Sequence, residues 1–180
     1  MLISGGGVSA AMRYVGEHGL ATLALRPLAA ALGTSDRMLM YHLGSREGLV
    51  VAPLDRAFAD LAAVRQGQQV IKPSDLVRLL WQAAVEPEAR VAMRLYPEAA
   101  SLAGTAELWR EQLKPATSLH LRTAEQWLVE AGVGPAAPAA ARLACAALDG
   151  LLLQLGIDGD RAAAEETVEL LAHQLNRLVG

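Results

Sequence analysis

Ser35, Arg37, Met38, Met40, Tyr41, His42, Ser45 and Arg46 lie close together in one short stretch. These side chains suit gripping a polyanion and reading its bases. A guanidinium donates two parallel hydrogen bonds to the edge of a guanine, and hydroxyls at helix N-termini suit phosphate oxygens. Arg37 is either such a base reader or a solvated surface Arg. Tyr41 either touches phosphate or sugar or is buried, and His42 either contacts phosphate or caps its helix. Met38 and Met40 face the duplex or its rim. Arg46, at the start of a following helix, meets phosphate. Upstream, Thr22 suits a helix cap and a phosphate donor at once, and Arg26 suits a phosphate contact or an internal salt bridge.

Those residues need a scaffold, and the flanking sequence spells one out. Val8 to His18 reads as a helix with Met12 and Val15 inward, ended by Gly19. Leu25, Leu28, Ala29 and Leu32 fall on one face of a second helix, stopped by Gly33. Ser35 can cap a third over Asp36–His42, with Asp36 favourable at its positive end. Leu39 and Leu43, four apart, would dock on the first two helices. Three short helices with a tight Gly-containing turn between the last two make a helix-turn-helix, whose outer side can enter a major groove. Ser45 can cap a fourth helix running toward Arg65, interrupted by Pro53.

Gly19, Thr22, Arg26, Leu28, Ala29, Leu32, Gly33, Ser35, Leu39, His42, Ser45, Glu47 and Leu49 stand at the spacing of a known N-terminal pattern, with Arg46 in a Lys place. On these residues the chain resembles the TetR family of bacterial repressors. The resemblance covers about the first fifty residues. Leu148-Asp149-Gly150-Leu151-Leu152-Leu153-Gln154 is similar, more loosely, to the family's penultimate helix. It departs from the pattern at Met40, where the family has a phosphate-contacting Tyr, at Arg37 in a small-residue place, and at Leu43 in place of Phe. The segment around Gly5-Gly6-Gly7 also lacks a basic arm.

The remainder reads as helices too, with no convincing alternating strand. A helix capped by Ser74 runs to about Val85, and Pro87 interrupts. A short one runs to Tyr96, where Pro97 intervenes. Thr105–Ala131 is long, with Pro115 as a bend. Gly132-Val133-Gly134-Pro135 breaks the chain before Pro138–Ile157, and Gly159-Asp160 turns it into Arg161–Val179. The expectation is an all-α chain of about nine helices. Residues 1–50 would form the DNA-binding domain and residues 51–180 a larger helical domain for ligand binding and dimerisation.

Trp81, Met93, Tyr96, Trp109, His120, Trp127, Cys145, Asp149 and Gln154 could line an apolar cavity with a few polar anchors, or simply fill the core. The resemblance implies that a pocket exists. Asp149 and Gln154 would be expensive to bury without partners. Leu148, Leu151, Leu152 and Leu155 on one helix, with Leu171 and Leu175 on the last, give apolar faces wide enough for a homodimeric four-helix interface. Such a dimer would place two recognition helices about 34 Å apart on a palindromic operator.

Composition narrows the alternatives. The first fifty residues carry a net +1 and the rest −4, so any contact with double-stranded DNA belongs to the first part. A single cysteine, Cys145, rules out an internal disulfide. No run reaches the roughly 18–20 uninterrupted apolar residues of a membrane span, and the N-terminus does not read as a signal peptide. A cytoplasmic protein without cofactor, metal or membrane partner is expected. His18, His42, His120 and His173 are scattered, without a His-Glu-x-x-His pair, which argues against an enzyme. The function so implied is a ligand-responsive transcriptional regulator, a repressor released by a small apolar or amphipathic effector. The alternative is a dimeric small-molecule-binding protein of the same ancestry with weakened DNA contacts.

Overall fold

The computed structural model describes residues 5–20, 24–43, 45, 47–48, 51 and 72–179. Among them are eight α-helices and no strand. They are α1 (Gly5–His18), α2 (Leu25–Ala31), α3 (Asp36–Leu43), α4 (Pro73–Val85), α5 (Pro87–Thr105), α6 (Glu107–Glu130), α7 (Ala137–Asp158) and α8 (Arg161–Asn176). A short 3-10 turn, Gly134–Ala136, precedes α7. The expected helix after Ser45, with Pro53, lies largely outside the described residues.

The chain divides into two compact units. One holds residues 1–57 and 90–116, the other residues 58–89 and 117–180. Both α5 and α6 contribute to each, because the divisions at 89/90 and 116/117 fall inside them.

In the first unit Ala11 and Val15 of α1, Leu20 after it, Leu28 and Ala29 of α2, and Leu39 of α3 are buried. Val15, Leu28, Ala29 and Leu39 are inward positions that the spacing predicts; Leu25 and Leu32, also predicted, are half-buried, and Ala11 and Leu20 are added to them. α1 begins at Gly5, earlier than the expected Val8. Gly19 and Gly33 end α1 and α2 with φ of +74° and +64°, a conformation that side chains resist and glycine does not. Residues 90–116 add buried Leu95, Ala99, Trp109, Leu113 and Ala116.

α5 corrects one expectation: it runs through Pro97 instead of stopping at Tyr96. The ring removes one backbone hydrogen bond and opposes the helix by about 3 kcal/mol. Leu95 and Ala99, on either side, are fully buried, and packing of that kind outweighs a local preference. α6 likewise contains Pro115.

The second unit is a helical core. Leu76, Val77, Leu80 and Trp81 of α4 meet Ala124, Trp127 and Leu128 of α6. Ala137, Ala140, Ala141, Ala144, Cys145, Leu148 and Leu151 of α7, with Ala164, Val168, Ala172 and Leu175 of α8, complete it. Each buried Leu or Val contributes roughly 1.5–3 kcal/mol of apolar burial. α4 packs chiefly on α8. There the Arg78 guanidinium donates to both carboxylate oxygens of Glu169, at 2.8 and 2.6 Å. Ser74 does not cap α4 as expected. The helix begins at Pro73, Asp75 accepts from the Lys72 amide at 3.0 Å, and the buried Ser74 donates its amide to Asn176 Oδ1 at 2.9 Å.

The ends of α6 and α7 follow the sequence signals. Gly132 and Gly159 take φ of +88° and +72°. Asp160 caps α8, its carboxylate accepting from the Ala163 amide at 3.0 Å. The stretch 134–158 is long and apolar enough by length and composition alone to cross a membrane. Arg142 and Asp149 interrupt it, however, and the buried side of α7 belongs to this core.

Candidate nucleic-acid interface and effector residues

α3 has eight residues, too few to be stable alone. Ser35 starts it: its hydroxyl accepts from the Met38 amide at 3.3 Å, and its carbonyl accepts from the Leu39 amide at 2.9 Å. Leu39, at 2% exposure, anchors the helix on its neighbours. At 100° per residue, Arg37, Met38 and Tyr41 fall within one arc, far from Leu39. All three are exposed, Tyr41 at 79%. Met40 is half-buried at the edge of that arc. The outer side of α3 therefore presents a cation, a thioether and a phenol hydroxyl on a capped helix.

Around it, Arg26 and Ser35 are exposed. Ser45 is half-buried, and its hydroxyl accepts from the Gly48 amide at 3.0 Å, as a capping serine does. His42 and Leu43 belong to α3 by backbone. Thr22 and Arg46 lie outside the described residues.

The structure distributes the expected effector residues between the two units. Met93, Tyr96 and Trp109 belong to the first. Trp81, His120, Trp127, Cys145, Asp149 and Gln154 belong to the second, where Trp81, Trp127 and Cys145 share one core. Gln154 is exposed, so it is not a buried polar anchor. Asp149 is half-buried, and that burial pushes its carboxyl up to about 6. Cys145, one helical turn earlier, is pushed up to about 12 by burial and by the Asp149 charge, so it stays a thiol. Burial lowers His120 to about 4 and keeps its imidazole neutral. The buried Trp81 indole N–H has no hydrogen-bond partner among the described residues. Four groups that titrate or donate, Asp149, Cys145, His120 and Trp81, thus lie within one unit.

Of the leucines expected at an interface, Leu148, Leu151 and Leu175 are buried in the unit's own core. Leu152, Leu155 and Leu171 are half-buried against it. The apolar side that remains outward is a different set: Leu143, Leu153 and Ile157 of α7, at 58, 51 and 80% exposure, and Leu170 of α8. Sequence reasoning also missed Glu98, whose carboxylate accepts from the Leu20 amide at 2.8 Å. A lone Glu in mid-helix carries no local signal for a partner 78 residues away.

The described helices open on a three-helix unit with an exposed third helix, and comparison with solved structures places this fold. No protein-family model matches the sequence, and no curated protein does. A protein from Rhodococcus sp. assigned to the TetR-family transcriptional regulators superposes with a TM-score of 0.76 at 20% identity, over 96% of this chain and 98% of that one. The multidrug binding protein EbrR, complexed with proflavin, matches at 26% identity and a TM-score of 0.59, over 96% of each chain. A protein from Saccharomonospora viridis assigned as a transcriptional regulator, in complex with choline, matches at 19% identity and a TM-score of 0.70, over 96% of this chain and 92% of that one. The chain has the fold of the TetR-family transcriptional regulators.

Proposed function

We propose that this protein is a ligand-responsive transcriptional repressor that binds a palindromic operator in double-stranded DNA as a homodimer. A small apolar or amphipathic effector releases it. The observation that carries the reading is the outer side of α3, where Arg37, Met38 and Tyr41 are exposed while Leu39 holds the helix in place. In this assignment Arg37 reads a base. Tyr41, Ser35, Ser45, Thr22, Arg26 and Arg46 contact the sugar–phosphate backbone.

The effector reading draws support from fold neighbours in complex with proflavin and choline. It draws further support from the buried Trp81 indole N–H, which an incoming ligand could satisfy. The dimer reading rests on the outward Leu143, Leu153 and Ile157 of α7, about three turns and one turn apart, together with the exposed Leu170 of α8. An effector that binds one arrangement of the large domain better than another shifts the spacing of the two DNA modules.

The test is to select duplexes from a random library with the wild-type protein and titrate the winner by gel shift at two salt concentrations. Affinity should fall steeply with salt, because each neutralised phosphate releases counterions. Arg37→Ala should relax the preference at one base position, while Arg46→Ala should weaken all sequences alike. No binding at low salt would sink this reading. It would leave a dimeric small-molecule-binding protein, a reading favoured by Met40, which stands half-buried where the TetR pattern has Tyr.

A further inference from the structure

The end of α1 differs from the other glycine-terminated ends in how it disposes of one amide. At α2 and α6 the amide that follows the glycine returns to its own helix's carbonyls: Thr34 donates to Ala29 at 2.9 Å and Val133 to Leu128 at 3.0 Å. At α7 the Asp160 amide donates to the Asp158 carboxylate two residues back, at 2.9 Å. At α1, Gly19 donates to Val15 at 2.8 Å, which closes the helix and leaves the Leu20 amide to go elsewhere. That amide donates to Glu98 Oε2 of α5 at 2.8 Å, and a Cβ added at Gly19 would lie 3.6 Å from the same oxygen. Carboxylates are unfavourable beside a helix C-terminus, where the dipole is negative. The charge therefore answers the amide and not the helix. The Leu20 side chain is buried and, with Pro97, Glu98, Ser101 and Leu102, lines a cleft of about 380 Å³ beside the bond. Pro97, immediately before Glu98, lacks the N–H that would tie α5 to its preceding turn.

We propose that Glu98 is a positioning residue for DNA binding: its carboxylate fastens the α1–α2 turn to α5 through the Leu20 amide, so that displacement of α5 is passed to the helices that carry α3. This rests on the reading of α3 as the DNA-contacting helix and adds the regulation of that site.

The experiment compares wild type with Glu98→Ala, Glu98→Asp and Glu98→Gln. Ala removes the acceptor, Asp keeps the charge but shortens the reach, and Gln keeps an acceptor at full length. The first readout is amide hydrogen exchange. Ala and Asp should each speed exchange at Leu20 and across residues 36–43 by about tenfold, the loss expected for a hydrogen bond to a charged group. Gln should stay near wild type, and α7 and α8 should be unchanged. The second readout is affinity for the selected duplex, which should fall about tenfold with Ala and Asp and be rescued by Gln. Faster exchange at Leu20 with α3 unchanged would overturn the proposal. So would an equal rise in α7 and α8, the sign of general destabilisation. Should wild type select no duplex, the DNA reading fails, and the exchange pattern still decides whether Glu98 couples α5 to α3.

Discussion

Replacing Asp149 with Asn should change how stability depends on pH, by an amount the structure sets. Burial lifts the carboxyl from 3.8 to about 6, so folding favours its protonated form. At 1.36 kcal/mol per pH unit that displacement is worth about 3 kcal/mol, and partial solvent access reduces it to about 1–2 kcal/mol. Below about pH 3.8 the group is protonated in both states and carries no penalty. Above about pH 6 it is ionised in both, and the folded state bears the full penalty. Its favourable share is therefore lost as pH rises through about 6. Asn is neutral throughout. Asp149→Asn should be more stable than wild type by about 1–2 kcal/mol at pH 8 and no different at pH 3.5. His120 pulls the other way: lowered from 6.5 to about 4, it destabilises the fold progressively as pH falls across that interval. It does so equally in both proteins, and the difference between them isolates Asp149. Urea unfolding followed by Trp emission suits the measurement, since Trp81 and Trp127 sit in the same core as that turn of α7. A difference that does not vary with pH, or an Asn variant weaker at pH 8, would refute the reasoning. The first would mean that the carboxyl titrates alike in the folded and unfolded states, the second that the ionised carboxylate is stabilised in the fold.

Three other outcomes follow from buried, capping and exposed positions. Leu39→Ala, at a site with 2% exposure, should destabilise the first unit by about 2–5 kcal/mol in thermal unfolding; a loss under 1 kcal/mol would show that α3 is not anchored there. Asp160→Ala removes the acceptor for the Ala163 amide and should reduce stability by about 1 kcal/mol, with faster exchange confined to the first turn of α8. Ile157→Glu, at a site with 80% exposure, should leave the helical circular dichroism intact and shift sedimentation from dimer to monomer; an unchanged dimer would move the interface off this side of α7.

The sequence was most legible where a local rule is nearly compulsory. Gly19, Gly33, Gly132 and Gly159 mark helix ends because each adopts positive φ. Ser35 and Leu39 announced α3, since a cap and an inward leucine are both read within four residues. The rule failed at Pro97, where the lost hydrogen bond is local and the packing of Leu95 and Ala99 that outweighs it is not. It was silent on partners. Periodicity puts Leu148, Leu151 and Leu175 on apolar faces, but whether the chain itself covers those faces depends on α4 and α6, far away in sequence. Gln154 shares a helix with Asp149, yet one is exposed and the other half-buried, a difference that spacing alone did not resolve. Glu98 was invisible for the same reason: its role is defined by an amide at the other end of a long loop closure.

The first two turns of the buried side of α7 are built from Ala137, Ala140, Ala141 and Ala144. A methyl group has no rotamer to change, so no side chain there can yield to accommodate a guest or a shifted neighbour. Any rearrangement along that seam must slide whole helices against one another, and adaptability in this core is left to the larger side chains, Trp81 and Trp127 with the leucines of α4, α6, α7 and α8.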